Sequence, residues 1–310
     1  MNAVRTSVQA VVSVKQRRKP NRFLWTLFLP VIAFYIVFKY VPMLGTVIAF
    51  KEYTFFEGIL DSPWIGLRNF ETLFNNPQTV GIIRNTLVLS LLSIIVGFPF
   101  PILMAILLNE ARKLWFKKSI QTLIYLPHFF SWVIVGGLVV TLFAEQSGVV
   151  NHLLKRIGGE TFPFLYDETA WVAIFLGSGI WKEAGFSTII FLAALTNIDP
   201  SLYEAAGMDG ANKFRQIWHI TLPGLSSTIV LILILSMGRV MEVGFDQIYM
   251  LKNPSVFNIS EVISTYIYRV GVQGAQFSLT SAMGLFESVV GLILVVLTNA
   301  VARKFNQGLW

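Results

Sequence analysis

Residues 199–223 read DPSLYEAAGMDGANKFRQIWHITLP, and the rest of the chain is best approached from this stretch. Asp199 is a good helix N-cap, and Pro200 suits the first helical position, where a missing N–H is harmless. Leu202, Ala205 and Ala206 then recur at helical spacing. Gly210 is able to adopt the left-handed conformation that stops a helix. A second short helix is predicted from about Asn212 to His219, and Pro223 opens the apolar run that follows. The parse is a helix–Gly–helix elbow. Ala205, Ala206, Gly207 and Gly210 give it a surface of small residues that another protein can approach closely. The alternative is an ordinary loop lying on a membrane, but loops of about 25 residues without a function are uncommon in compact domains.

The elbow is flanked by long apolar runs, Ala170–Leu195 before it and Pro223–Leu251 after it. About 20 apolar residues cross a hydrocarbon core of about 30 Å. Four more runs qualify: Phe23 to about Phe50, Val80–Leu108, Ser119–Phe143 and Thr280–Ala302. Composition agrees. Of 310 residues, 55% are hydrophobic and only 13% charged, with a mean hydropathy of +0.65. A soluble domain carries about 25% charge, so this chain cannot coat a water-facing surface. Backbone inside lipid must satisfy its own hydrogen bonds, and the alternation of a β-barrel is absent, so the runs are predicted helices. The expected fold is all-α, a polytopic transmembrane bundle of about six spans. Cysteine is absent, which excludes disulfides, thiol catalysis and Cys-ligated metal sites.

Lys and Arg placement sets the expected orientation. Arg5, Lys15, Arg17, Arg18, Lys19 and Arg22 precede the first span. Arg112, Lys113, Lys117 and Lys118 lie between spans two and three, Lys213 and Arg215 in the elbow, and Arg303 and Lys304 after the last span. These outnumber the basic residues of the opposite connections two to one, which predicts both termini in the cytoplasm. The net charge of +7 therefore needs no nucleic acid. Residues 1–22 are expected to be a basic cytoplasmic segment, and 23–310 the membrane domain with the elbow at 199–223. The apolar run after Arg22 is too long for a cleaved leader and reads as a retained anchor.

Catalytic signatures are missing. There is no G-x-x-x-x-G-K-[ST] phosphate loop, no G-x-S-x-G elbow and no Ser–His–Asp pattern. His128, His152 and His219 are scattered and suggest no metal site. No catalytic residue and no cofactor bound by this chain is expected, and transport or scaffolding gains by default.

At this point the chain resembles a known family. E-A-A-x-x-x-G, then nine residues and I-x-L-P, is the signature of inner-membrane permease subunits of binding-protein-dependent ABC importers. Here it is Glu204–Ala205–Ala206, Gly210, Ile220 and Leu222–Pro223. W-x-G-L-x-N-F (Trp64–Phe70), R-N-T (Arg84–Thr86) and F-L-A-A-L-T-N-I-D-P (Phe191–Pro200) are similar to the sugar-permease branch. Y-L-P-H-F-F-S-W (Tyr125–Trp132) and G-F-D-Q-I-Y (Gly244–Tyr249) resemble permeases for polysaccharide-derived oligosaccharides such as alginate or rhamnogalacturonan fragments. The resemblance implies a type I ABC importer permease fold in a bacterial inner membrane. It implies a second homologous permease subunit, two ATPase subunits that bind ATP and Mg, and an extracytoplasmic solute-binding protein. Glu204, Ala205, Ala206, Asp209 and Gly210 would then couple the elbow to an ATPase.

Charged residues inside spans are costly and usually face a cavity or a partner. Span four carries Lys182 and Glu183 beside Trp181, and span five carries Arg239, Glu242 and Asp246. The last three stand at i, i+3 and i+7, so a continuous helix would put them on one face. Lys182 and Arg239 would be level, each about 18 Å from the outer end at about 1.5 Å per residue. Glu287 in the last span is a further candidate. Two explanations stay open: the charges pair and lock helices together, or they line a sugar pathway on which Trp181 stacks. Gly136, Gly137, Gly177 and Gly179 are expected to permit close helix packing. Competing classes are a secondary transporter, which would need internal repeats, a membrane enzyme acting on lipid-linked sugars, and a scaffold that leaves the elbow unexplained.

Overall fold

The computed structural model describes residues 22–304 and Gly308, so the expected basic segment lies almost wholly outside the described residues. Helices and the loops between them account for what is described. The chain divides into a unit ending at Val47 and a second beginning at Ile48. The first contains the α-helix Arg22–Tyr35, a π-turn at Ile36–Tyr40 around Lys39, and the short helix Val41–Leu44. Its residues belong to the apolar stretch Trp25–Phe50, which is long enough to cross a membrane.

In the second unit the expected second span is the helix Pro77–Glu110, continuous through Phe98 in spite of Pro99. Asn76 caps it by accepting from the Gln78 N–H. The fourth expected span is Glu168–Leu195, capped by Asp167, and the last is Phe277–Lys304. Trp25–Phe50, Pro77–Glu110, Lys213–Gly238 and Phe277–Lys304 are each long and apolar enough to cross a membrane, and the bent pairs Leu114–Phe129 with Trp132–Phe143 and Glu168–Leu195 with Pro200–Met208 bring the candidate spans to as many as six, in keeping with the expected bundle.

Two expected spans are not single helices. The third is broken into Leu114–Phe129 and Trp132–Phe143, which meet at 101°. Pro127 lacks the N–H that would continue the ladder. Phe130 and Ser131 are extended, and Ser131 caps the next helix through Ile134 N–H. The fifth, expected to run to Leu251, ends at Gly238, and a new helix begins at Phe245. The last span crosses closely here: a Cβ on Gly291 would lie 2.9 Å from the Gly238 carbonyl oxygen, and one on Gly238 would lie 2.6 Å from Val295. Beyond the break, Val240 and Met241 bury in one apolar cluster and Val243 in another. The one-face reading of Arg239, Glu242 and Asp246 is therefore incorrect. Arg239 caps one helix, Glu242 sits in the connecting turn and Asp246 is in the first turn of the next.

The expected glycine contacts divide as well. Gly136 faces Met250 and Gly179 faces the Gln247 amide, whereas Gly137 and Gly177 adjoin open space. The tightest crossing among these helices is at Gly185, where a Cβ would overlap the Ile124 carbonyl oxygen. Gly185→Ala is expected to destabilise the protein by about 1–3 kcal/mol, the usual range for overpacking. The thermal unfolding midpoint in detergent should fall by several times the shift seen for Gly177→Ala; equal shifts would mean the crossing relaxes freely.

Three apolar clusters hold the second unit together. One is built on Trp171, which stacks on Phe175 at 5.6 Å and donates its indole N–H to the Leu251 carbonyl at 2.9 Å. A second surrounds Ile263 and Met283, and a third joins Ala105, Phe191, Leu195 and Leu225 near the elbow.

Candidate functional site

The first helix of the elbow and its glycine stop form as expected, but the second short helix is not a separate element: Lys213–Gly238 runs on as one helix, through a π-turn at Ile217–Thr221 and past Pro223, where proline is tolerated. Asp199 accepts the Ser201 N–H at 2.9 Å, and this bond holds its carboxyl below the usual aspartate range. The helix Pro200–Met208 leaves the preceding Glu168–Leu195 helix at 75°. Gly210 takes φ +75°. The Gly210 N–H bonds to the Gly207 carbonyl, and the Ala211 N–H reaches back to Ala206 at 2.9 Å. That 5→2 and 6→1 pair is a Schellman stop, which asks for glycine at this position. Asn212 then caps the next helix through the Arg215 N–H. Glu204, Ala205, Asp209 and Gly210 are exposed, and Ala206 is half-buried. Glu204 forms no ion pair among the described residues. The elbow is tied down behind this face. Tyr203 hydroxyl meets the Thr221 hydroxyl at 3.0 Å, and Lys213 Nζ meets Glu110 at 3.0 Å.

A cavity of about 360 Å³ opens among the helices Pro77–Glu110, Glu168–Leu195 and Lys213–Gly238 and the break after Gly238. Its polar lining includes Ser90, Ser93, Glu183, Ser187, Ser236, Arg239, Glu242 and Gln247, with Trp132, Phe175 and Phe191 as apolar wall. Three of the seven residues singled out in the spans, Glu183, Arg239 and Glu242, thus line one space. Trp181 is half-exposed and not part of that wall. Lys182 lies behind it, buried. Glu287 is also off the wall, though within electrostatic reach of Glu242.

Lys182 and Glu183 do pair, within span four, and His128 of the broken third span joins them. Lys182 Nζ donates to Glu183 Oε1 at 3.0 Å and to the His128 carbonyl at 2.9 Å. Glu183 Oε2 meets His128 Nδ1 at 2.8 Å. Arg239 makes no ion pair among the described residues. Structural pairing thus describes span four, while Arg239 presents an unspent cation to the cavity.

Sequence reasoning placed His128 in a motif and set it aside as a metal ligand, but did not anticipate its contact with Glu183. It also missed Glu261, almost fully buried, which pairs with Arg269 at 2.9 Å and lies 3.9 Å from Lys252. Several motif residues prove to be staples. Asn85 donates to the Asn258 and Glu261 carbonyls, and Thr86 accepts the Ile263 N–H. Asn69 donates to Ala49 and Lys51, and Gln247 donates to the Phe175 carbonyl at 2.6 Å.

An apolar helical bundle with a cavity that carries a few charged and polar groups, and with a capped elbow, is the architecture of a membrane permease. Residues 97–309 match the family described as binding-protein-dependent transport system inner membrane component, and the chain belongs to that family. It is a multi-pass inner-membrane permease of the ABC importer class. The polygalacturonan/rhamnogalacturonan transport system permease protein YteP of Bacillus subtilis is 47% identical over 308 residues, covering 97% of this chain and 96% of that protein. Protein LplB of the same organism is 43% identical, covering 93% and 91%. A solved bacterial ABC transporter involved in the import of the acidic polysaccharide alginate has a chain 43% identical, with a TM-score of 0.85, covering 91% of this chain and 96% of that one. A bacterial alginate ABC transporter in complex with an alginate pentasaccharide-bound periplasmic protein has a chain 42% identical, with a TM-score of 0.85, covering 93% of this chain and 96% of that one.

Proposed function

We propose that this chain is one half of a heterodimeric pore that imports acidic oligosaccharides. An extracytoplasmic binding protein delivers the sugar, and separate ATPase subunits, which hold the ATP and Mg, drive the cycle through the Glu204–Gly210 elbow. Both termini lie in the cytoplasm, and the connections at about 51–79, 144–169 and 252–279 face the binding protein.

The observation that carries the substrate class is Arg239. It lines the cavity with no ion-pair partner among the described residues, and a guanidinium offers a fork that matches a uronate carboxylate. Polygalacturonan and alginate, named for the relatives, are both polyuronates. The test is uptake by the full complex in proteoliposomes, comparing a short oligouronate with its methyl ester, the same sugar without charge. Import of the oligouronate in clear preference supports the reading. Equal or better import of the ester overturns it.

A further inference from the structure

Glu183 presents a problem for a cavity that admits polyanions, because a bare carboxylate on the wall repels a uronate. The structure shows how that charge is handled. Both of its oxygens are engaged from behind the wall, Oε1 by Lys182 and Oε2 by His128. The His128 ring is fixed by stacking on Phe186, with centroids 4.0 Å apart and planes within 5°. Its backbone carbonyl accepts from the same Lys182 ammonium, which also lies 5.5 Å from the Trp132 ring. An imidazole nitrogen that faces a carboxylate carries the proton, whether the ring is neutral or charged. With the ring neutral, Lys182, Glu183 and His128 sum to zero; with the ring charged, they sum to one positive charge. Glu183 and Lys182 are the ionisable side chains that contact His128 among the described residues, and Arg239 and Glu242 are the other charged groups on the cavity wall.

We propose that His128 is a positioning residue whose ring N–H holds the Glu183 carboxylate back from the cavity, and that this hold favours acidic oligosaccharides over neutral ones. The proposal rests on the acidic-sugar reading of the cavity. A purely structural role, pinning the break of span three to span four, would affect both sugars alike.

The experiment uses the whole complex in proteoliposomes at equal pH on both sides. Uptake of an oligouronate and of its methyl ester is measured, with the binding protein's affinity for each measured in parallel. His128→Asn keeps an N–H for Glu183 and should keep the acidic-to-ester ratio near the wild-type value. His128→Ala should lower that ratio by roughly two- to tenfold, the effect of one hydrogen bond lost by the carboxylate. Adding Glu183→Gln to His128→Ala should restore it. The proposal is overturned if His128→Asn lowers the ratio as far as His128→Ala, if His128→Ala reduces both sugars equally, or if Glu183→Gln fails to restore the ratio. A wild-type complex with no preference for the oligouronate would instead remove the substrate reading itself, and this proposal with it.

Discussion

Glu204→Lys is expected to abolish coupled uptake while leaving the chain folded in the membrane. Glu204 is exposed and forms no ion pair within the described residues, so its replacement leaves the Asp199 cap and the Gly210 stop in place. What it removes is a charge at the centre of the surface proposed to meet an ATPase. Reversing one partner of a desolvated charge pair across an interface costs about 2–5 kcal/mol, which weakens docking by more than tenfold. The measurement is sugar-stimulated ATPase activity of the reconstituted complex, with membrane insertion checked in parallel. Stimulation at the wild-type level would take Glu204 out of the coupling surface.

Arg239→Ala carries the second large effect. A hydrogen bond to a charged group contributes about 1.5–3 kcal/mol, or roughly ten- to a hundredfold in the concentration needed for half-maximal uptake of an oligouronate. The methyl ester should lose much less. Arg239 ends a helix and follows the tight Gly238 crossing, so a general packing defect is the competing outcome. It would show as equal losses for the two sugars, and Arg239→Lys, which keeps the charge, would not recover the acidic one.

The elbow was legible because everything that shapes it is local. An Asp–Pro start, a glycine stop and an Asn cap act within a few residues of themselves, and the structure shows each of them. Four of the six apolar runs were legible for the same reason, since lipid-crossing length is a property of a run alone. The two broken spans were not. Periodicity reports which residues share a face while a helix lasts, but not where a helix must end. At Gly238 the helix ends beside a close crossing with Gly291 and Val295, from a helix about fifty residues away in sequence. The same limit hid the partners of span four. Lys182 and Glu183 bond to each other and also to His128, which lies beside the Pro127 break of another span more than fifty residues away in sequence. Asn85, Asn69 and Gln247 stood inside recognisable motifs, but the carbonyls they hold lie on distant segments and left no trace beside them.

The ties beneath the elbow bear on how force travels. Its first helix continues by a short link from Glu168–Leu195, is fastened at Tyr203 to the base of Lys213–Gly238, and that base is clamped through Lys213 to the end of Pro77–Glu110. A push on the elbow is thus delivered to three helix ends at once, as by a lever fixed at several points. Stiffness of this kind favours tilting of the assembled helices over bending at the elbow, and places the compliance at the two breaks, around Pro127 and after Gly238. The Lys213–Glu110 clamp is solvent-exposed, and exposed pairs contribute little and are screened by salt. The Tyr203–Thr221 fastening is half-buried, so the lever keeps its grip on one helix at high ionic strength and loosens on the other.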